Sequence, residues 1–310
     1  LLQGHPIVQQ MHWGGGTPTF LTDDKMSELM DHLRKRFNFS TDDSADYSIE
    51  IDPREVRPNT LKLLREIGFN RTSFGVQDLN EKVQQAVNRI QPESLIRKVM
   101  IEARELGFRS INIDLIYGLP HQTQETFAET LDVIIDMSPD RLSVFNYAHL
   151  PERFKPQRRI KEEDLPSPEE KLAILGNCIT TLTEVGYHYV GMDHFAKPDD
   201  ELSRAQGAKE LHRNFQGYTT HGDCDLIGFG VSSISQISDC YLQNSPDINV
   251  YEDAINNNQF PVVKLITTDT DDLIRRQVIM ELLCHDQMIF AELDTAFSID
   301  SQTYFADELS

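Results

Sequence analysis

The sequence predicts an α/β protein with a parallel sheet and helices outside it, either doubly wound or curled into a barrel. Three observations carry this expectation. Short β-rich runs alternate with amphipathic stretches through the first half of the chain. Helical stretches there end at glycines, Gly68, Gly107 and Gly186, each just ahead of a β-rich run. The β-rich runs also alternate apolar with polar residues, so each strand has one face for packing and one for something else.

In chain order, strands are expected at 7–12 (IVQQMH), 47–52 (YSIEID), 71–76 (RTSFGV), 110–117 (SINIDLIY), 141–148 (RLSVFNYA) and 188–193 (HYVGMD). Between them, apolar residues recur at steps of three and four. Met26, Leu29, Met30, Leu33 and Phe37 form the first stripe, and Leu61, Leu64 and Ile67 the second. Leu95, Ile96, Val99, Met100, Ala103 and Leu106 follow, then Phe127, Leu131, Ile134 and Ile135. Leu172, Leu175, Ile179 and Leu182 make the last stripe before Gly186. From about 195 the chain is rich in Gly, His, Asn and Asp, and helical periodicity returns at 267–285.

Strand parity separates the two faces. Ile49 and Ile51 oppose Ser48, Glu50 and Asp52; Thr72, Phe74 and Val76 oppose Arg71, Ser73, Gly75 and Gln77; Ile111, Ile113 and Leu115 oppose Asn112 and Asp114. Closed barrels normally fill their interior with branched apolar side chains. Three successive strands with polar inner faces therefore predict a cavity for a polar ligand. An edge strand with its polar face in water is the alternative, and it accounts for one such strand more readily than for three.

Composition bounds the function. The 310 residues carry 29 basic and 50 acidic side chains, a net charge of −21, so the average field repels nucleic acid and anionic lipid. No apolar run reaches the ~18–20 residues of a membrane span, and the N-terminus lacks the basic-then-apolar pattern of a secretion signal. A cytoplasmic protein that binds neither nucleic acid nor membrane is expected. The cysteines Cys178, Cys224, Cys240 and Cys284 form no CxxC or CxxxCxxC group and read as reduced thiols.

The strongest local signal is HWGGGTPT, from His12 to Thr19, directly after the first strand. Consecutive glycines at a strand's C-terminal end let the backbone approach a ligand and expose its N–H and C=O groups; a tight turn is the plain alternative. The motif is not a P-loop, because no Lys-Ser/Thr pair follows, and it lacks the dinucleotide GxGxxG spacing. Five further segments accompany it: SIEIDPRE at 48–55, GFNRTSFGVQDLN at 68–80, NIDLIYGLPHQT at 112–123, RLSVFNYAHLP at 141–151 and HRNFQGYTT at 212–220. In these the chain resembles the oxygen-independent coproporphyrinogen III oxidases, radical S-adenosylmethionine enzymes of haem biosynthesis. The motifs are collinear over nearly the whole chain. Related haem chaperones share GGGTP and the early strands, but are expected to carry a shorter segment in place of HRNFQGYTT.

The resemblance implies a partial (β/α)6-type radical SAM barrel with its first strand missing, followed by the start of a helical C-terminal domain. The expected divisions are a barrel core at 1–160 (strands two to six), a barrel extension and substrate-side segment at 161–262, and the helical part at 263–310. It also implies a 4Fe-4S cluster held by a CxxxCxxC loop, with loop and first strand expected upstream of Leu1. Without that loop the chain alone is expected to be inactive. Gly15, Gly16 and Thr17 match the family segment along the methionine end of a first S-adenosylmethionine, and Glu50, Gln77, Arg89 and Asp114 match its other contacts. Glu50, Gln77 and Asp114 lie on the polar strand faces derived from parity. Ala148 and Ile234 match contacts to a second S-adenosylmethionine, on resemblance alone.

The implied substrate is coproporphyrinogen III, whose four propionates need local cations in so acidic a protein. Arg153, Arg158, Arg159 and Arg213 are the candidates, beside Lys155 and Lys161. Two propionates would become vinyl groups through a 5′-deoxyadenosyl radical, giving protoporphyrinogen IX, with an external electron donor for the cluster. A monomer is expected. A haem-binding chaperone on the same barrel is the alternative function, and an ordinary barrel enzyme without a radical a third.

Overall fold

The computed structural model describes residues 6–40 and 42–309. The chain divides into two compact units, 1–204 and 205–310. In the first unit β1 (Ile7–Val8), β2 (Gln10–Trp13) and β3 (Asn38–Phe39) come first. β1 pairs in parallel with β3, whereas β2 pairs in parallel with β4 (Asp46–Ile51) and opens the main sheet. The single strand expected at 7–12 is thus two, broken at Gln9, whose carbonyl accepts from Asp46 N.

The sheet continues through β5 (Arg71–Gln77), β6 (Ser110–Tyr117) and β7 (Arg141–Asn146), all parallel. It ends with β8 (His188–Gly191) and β9 (His194–Ala196), in the order β2-β4-β5-β6-β7-β9-β8. β9 runs antiparallel to both of its neighbours. A single strand was expected at 188–193. The chain instead reverses at Met192, which has φ +49°, and the returning limb takes the place beside β7. The result is an α/β fold with an open, mostly parallel sheet.

The parity argument holds in space. Ile49, Ile51, Phe74, Val76, Ile111, Ile113 and Leu115 are each at most 2% exposed. They meet the apolar stripes of α1 (Asp23–Arg34; Met26, Met30), α2 (Thr60–Glu66; Leu61, Leu64), α4 (Glu93–Glu105; Ile96, Val99, Met100, Ala103) and α5 (Gln124–Met137; Phe127, Leu131, Ile134), with the short α3 (Glu81–Ala86) capped by Asn80. Burying one such side chain stabilises the fold by ~1.5–3 kcal/mol. On α6 (Pro168–Glu184) the buried set is Ile174, Cys178 and Leu182, whereas Leu172 is exposed. The expected stripe there is rotated by part of a turn, with Leu175 and Ile179 only partly buried at its margin.

Arg71 and Arg141 start β5 and β7, where they close the polar face at the strands' N-terminal end. Arg71 Nε donates to Asp46 Oδ1 at 2.8 Å and its Nη2 to Glu201 Oε2 at 2.6 Å. Arg141 donates to Asp200 at 2.9 Å and to the other Glu201 oxygen at 2.8 Å. With that end filled by ion pairs, an accessible site falls at the C-terminal ends of the strands.

Helix α7 (Glu201–Ala208) runs across the division. The second unit holds a hairpin, β10 (His212–Asn214) and β11 (Gly217–Thr219), and an antiparallel sheet of β12 (Ile234–Ile237), β13 (Cys240–Asn244) and β14 (Val262–Thr267). Helix α8 (Ile248–Asn256) lies between β13 and β14 in the chain, and α9 (Thr270–His285), α10 (Phe290–Phe297) and α11 (Ser301–Tyr304) follow. Ile274, Leu293 and Phe305 form a small core there. The divisions expected at 160 and 262 fall inside these units, the latter at the first residue of β14. Among the described residues no helix is long and apolar enough to cross a membrane.

Candidate functional site

The glycine loop leaves β2 at Trp13. Gly15 has φ +96°, which disfavours any residue with a Cβ, and a Cβ on Gly16 would point into open space, leaving a cradle beside the backbone. Gly14 is different: a Cβ there would lie 2.5 Å from His12 Nε2 and 2.7 Å from Glu50 Oε1. Thr17 leads into a 3-10 turn over Pro18–Phe20.

Glu50 lies next to this loop. His12 Nε2 is 3.2 Å from its Oε1, and Gly15 N donates to its Oε2 at 3.3 Å. Burial works against its charge, but the hydrogen bond and charge of His12, with Gly15 N, hold the carboxyl below the ordinary glutamate range. Glu50 is therefore an anion, able to accept from an ammonium or a hydroxyl.

Two strands away, Asp114 accepts from Ser73 Oγ at 2.7 Å and from Asn112 Nδ2 at 2.7 Å. Asn112 also reaches Ser143 Oγ at 3.1 Å. Burial pushes the Asp114 carboxyl up to about 6, and the Glu50 charge adds to the shift. Two carboxylates on one inner face, with one held anionic and the other pushed toward neutrality, are an arrangement typical of functional sites.

Gln77 reaches the site through an irregularity in β5. The pairing with β6 runs Gly75 to Asp114 and then Gln77 to Leu115, so two steps on one strand meet one on the other. Gln77 takes up the slack with φ +70°. The carbonyls released from the ladder are met by side chains: Arg89 Nη2 donates to Gly75 O at 2.6 Å, and Gln91 Nε2 to Val76 O at 2.5 Å. Gly75 is small for a reason of space, since a Cβ would sit 2.9 Å from Gln77 Nε2 and 3.1 Å from Arg89 Nη2. Arg89 Nη1 donates to Asp52 at 2.9 Å. Burial lowers the guanidinium pKa, and Asp52 pulls it back.

A buried frame holds this turn. The Asp78 carboxylate accepts from Asn80 N at 2.6 Å, from Thr130 Oγ1 at 3.1 Å and from Gln122 Nε2. Gln84 Nε2 bridges the carbonyls of Asp78 and Gln91 at 2.9 Å each.

A cavity of about 370 Å³ opens beside the turn, walled by Gln77, Val87, Arg89, Ile116, Tyr147 and Arg159 among others. Gln77 Oε1 and Arg89 Nε are buried and have no hydrogen-bond partner. A buried donor or acceptor without a partner costs roughly 1–3 kcal/mol. The Arg89 guanidinium, the Gln77 amide and the anionic Glu50 are a donor and acceptor set suited to a ligand with a carboxylate and hydroxyl or amine donors, such as S-adenosylmethionine.

The remaining candidates are scattered. Ala148 follows β7, and its carbonyl accepts from Gln157 at 3.0 Å. Arg153 lies over the Phe154 ring at 5.5 Å, and Arg158 Nε donates to Pro151 O at 3.1 Å, so both have local partners. Of these arginines in the first unit, Arg159 lines the cavity. Arg213 and Ile234 belong to the second unit: Arg213 packs over Tyr218 at 4.8 Å with Nη1 buried and unpartnered, and Ile234 pairs with Gln243. Burial pushes the Cys178 thiol up to about 12 and Cys284 to about 11, far from thiolate ligands. Among the described residues no group of three or more His, Cys, Asp and Glu is arranged to hold a metal.

His12, Ser73, Asn112 and Ser143 stand at the site without having been chosen from the sequence as ligand contacts. Parity had put Ser73 and Asn112 on the polar face, and His12 opens the glycine motif. Nothing in the sequence pairs His12 with Glu50.

The model of the radical SAM superfamily matches residues 1–134, the part of this mostly parallel α/β sheet that carries the glycine loop, Glu50 and Asp114. The chain is 55% identical over 306 residues to the oxygen-independent coproporphyrinogen III oxidase of Pseudomonas aeruginosa, covering 99% of this chain and 66% of that protein. It is 45% identical over 267 residues to the same enzyme of Thermostichus vulcanus, 86% of this chain and 82% of the relative. The solved structure of coproporphyrinogen III oxidase from Escherichia coli superposes with a TM-score of 0.95 at 51% identity, over 98% of this chain and 69% of that one. The chain belongs to the oxygen-independent coproporphyrinogen III oxidase family, and it spans 66% of the length of the Pseudomonas relative.

Proposed function

We propose that this chain carries most of the S-adenosylmethionine pocket of an enzyme that converts two propionates of coproporphyrinogen III to vinyl groups, giving protoporphyrinogen IX. The observation that carries the reading is a cavity of about 370 Å³ lined by Gln77 and Arg89, two polar side chains whose buried Oε1 and Nε have no hydrogen-bond partner, in a member of this family. S-adenosylmethionine, when bound beside a 4Fe-4S cluster that reduces it, would supply a 5′-deoxyadenosyl radical as the hydrogen-atom acceptor for the propionate side chain.

The residues of this chain bind and orient. Gly15, Gly16 and Thr17 offer backbone groups to the amino-acid end of the ligand, and Glu50, an anion, accepts from its ammonium or ribose. The Arg89 guanidinium pairs with the carboxylate, a charge-assisted bond. Gln77 accepts through Oε1. Asp114 accepts from a hydroxyl when ionised and can donate when protonated. Arg159, with Arg153, Arg158 and Arg213 as further candidates, pairs with propionates. Ala148, in the first unit, is carried as a contact of a second S-adenosylmethionine by the family resemblance alone. The enzyme works as a cytoplasmic monomer served by an external electron donor.

The haem-chaperone alternative is less favoured, since the relatives described above carry the oxidase name. The test is Glu50→Ala and Asp114→Ala in the full-length protein carrying its cluster, reading S-adenosylmethionine affinity by equilibrium dialysis and its cleavage by release of 5′-deoxyadenosine. Both are expected to fall at least ten-fold. Unchanged binding and cleavage would remove these residues from the site.

A further inference from the structure

His12 has no part in the reading above, yet it touches Glu50, the residue that reading relies on at the glycine loop. Its ring spans two neighbours on β4: Nδ1 is 2.8 Å from Ser48 Oγ, and Nε2 is 3.2 Å from Glu50 Oε1. Ser48 and Glu50 are two residues apart and share the polar face, so one imidazole laid along the strand reaches both. Glu50's other oxygen is taken by Gly15 N at 3.3 Å. Both carboxylate oxygens are thus oriented from β2 and its loop, while the side chain stays 43% exposed for a ligand.

The first glycine of the GGG run belongs to this arrangement. A Cβ on Gly14 would come 2.5 Å from His12 Nε2, 2.7 Å from Glu50 Oε1 and 2.8 Å from Glu50 Cδ, closer than real Cβ atoms approach. Any side chain at 14 must therefore move the ends of these two side chains from where they now meet. Gly15 and Gly16 have no such neighbour.

The proton count is consistent with a lasting contact. Ser48 has a single hydroxyl proton, and its Oγ also lies 3.4 Å from Met11 O. When Ser48 donates to His12 Nδ1, the neutral ring carries its proton on Nε2 and donates it to Glu50. When Ser48 turns to Met11 O, it accepts from Nδ1–H, and the imidazolium still donates Nε2–H to Glu50. In both states the carboxylate is held, and only the hydroxyl rotates.

We propose that His12 is a positioning residue for S-adenosylmethionine, aiming the Glu50 carboxylate through a Ser48–His12–Glu50 relay, and that Gly14 is glycine to make room for that relay. The inference rests on the proposed function, in which Glu50 contacts the cofactor. A hydrogen bond to a charged group is worth about ten-fold in affinity or more.

The test is S-adenosylmethionine binding in the full-length protein carrying its cluster, compared among the parent, His12→Phe, His12→Gln, Gly14→Ala, Glu50→Ala and the pairs of Glu50→Ala with His12→Phe or Gly14→Ala. His12→Phe and Gly14→Ala are each expected to weaken binding about ten-fold. His12→Gln, whose amide can replace Nε2–H, recovers most of the loss. Neither substitution weakens binding further once Glu50 is alanine, because the relay then has nothing to aim. Unchanged affinity, or losses that add fully to that of Glu50→Ala, overturns the positioning role and leaves the cofactor site standing.

A second measurement needs no cofactor. Titration of the Glu50 carboxyl by carbon NMR in the ligand-free protein should move upward in His12→Phe, since burial is no longer opposed by the imidazole. No movement overturns the inference even if the parent fails to bind S-adenosylmethionine, a failure that would by itself sink the proposed function.

Discussion

Replacing Asp114 with asparagine should make the ligand-free protein more stable and less able to bind its cofactor. Burial and the nearby Glu50 charge move the Asp114 carboxyl from its ordinary 3.8 up to about 6. A displacement of ~2 units corresponds to roughly 3 kcal/mol of destabilisation once the group is ionised. The sign follows from proton binding. Between about pH 4 and 6 the folded state holds the proton more tightly than the unfolded chain, so stability falls as pH rises through that window and levels off above it. At pH 8 the penalty is present in full, about 3 kcal/mol, and at pH 5 it is about half of that. Asparagine removes the charge but disturbs the bonds from Ser73 and Asn112, which takes back about 1 kcal/mol. The net expectation is a gain of roughly 2 kcal/mol at pH 8 that shrinks to under ~1 kcal/mol at pH 5. Urea unfolding at the two pH values, without ligand, measures it. Destabilisation at both, or a gain that does not shrink on acidification, would refute the account of Asp114 as a strained anion.

Three further outcomes are expected. Gly75→Ala should displace Gln77 and Arg89 together, lowering S-adenosylmethionine affinity about ten-fold or more while moving the unfolding midpoint little; intact affinity would show that the space over Gly75 is not needed. Asp78→Ala strands the donors of Asn80, Gln122 and Thr130 in a buried frame and should lower stability by about 3 kcal/mol in urea, and a loss under ~1 kcal/mol would contradict the frame. Arg159→Ala should raise the KM for coproporphyrinogen III several-fold with S-adenosylmethionine affinity unchanged, and an unaltered KM would take Arg159 out of the substrate site.

What could be foreseen follows the range of the forces involved. The faces of β4, β5 and β6 were legible because a strand's period of two converts directly into sidedness, and that alone brought Glu50 and Asp114 to one surface. The core stripes of α4 and α5 were legible for the same local reason. The reversal at Met192 was not, because GMD carries no strong turn signal and a methionine with positive φ is held by the sheet around it. The irregular pairing at Gln77 leaves no mark on the alternation of β5, and its frame of Asp78, Gln84, Gln91, Gln122 and Thr130 comes from elements far apart in the chain. Among the cationic residues of 153–161 composition could not choose. Phe154 and Pro151 engage Arg153 and Arg158 locally, and only the path of the folded loop brings Arg159 to the cavity.

The backbone at Gln77 has a consequence for anyone who redesigns this protein. A side chain held at φ +70° carries about 1–2 kcal/mol of strain that glycine would not. A procedure that rewards stability alone will therefore choose glycine at 77, and with it delete the buried amide oxygen that has no partner of its own. Improvement by that measure and loss of the pocket would arrive in the same substitution, and a melting curve would register only the first.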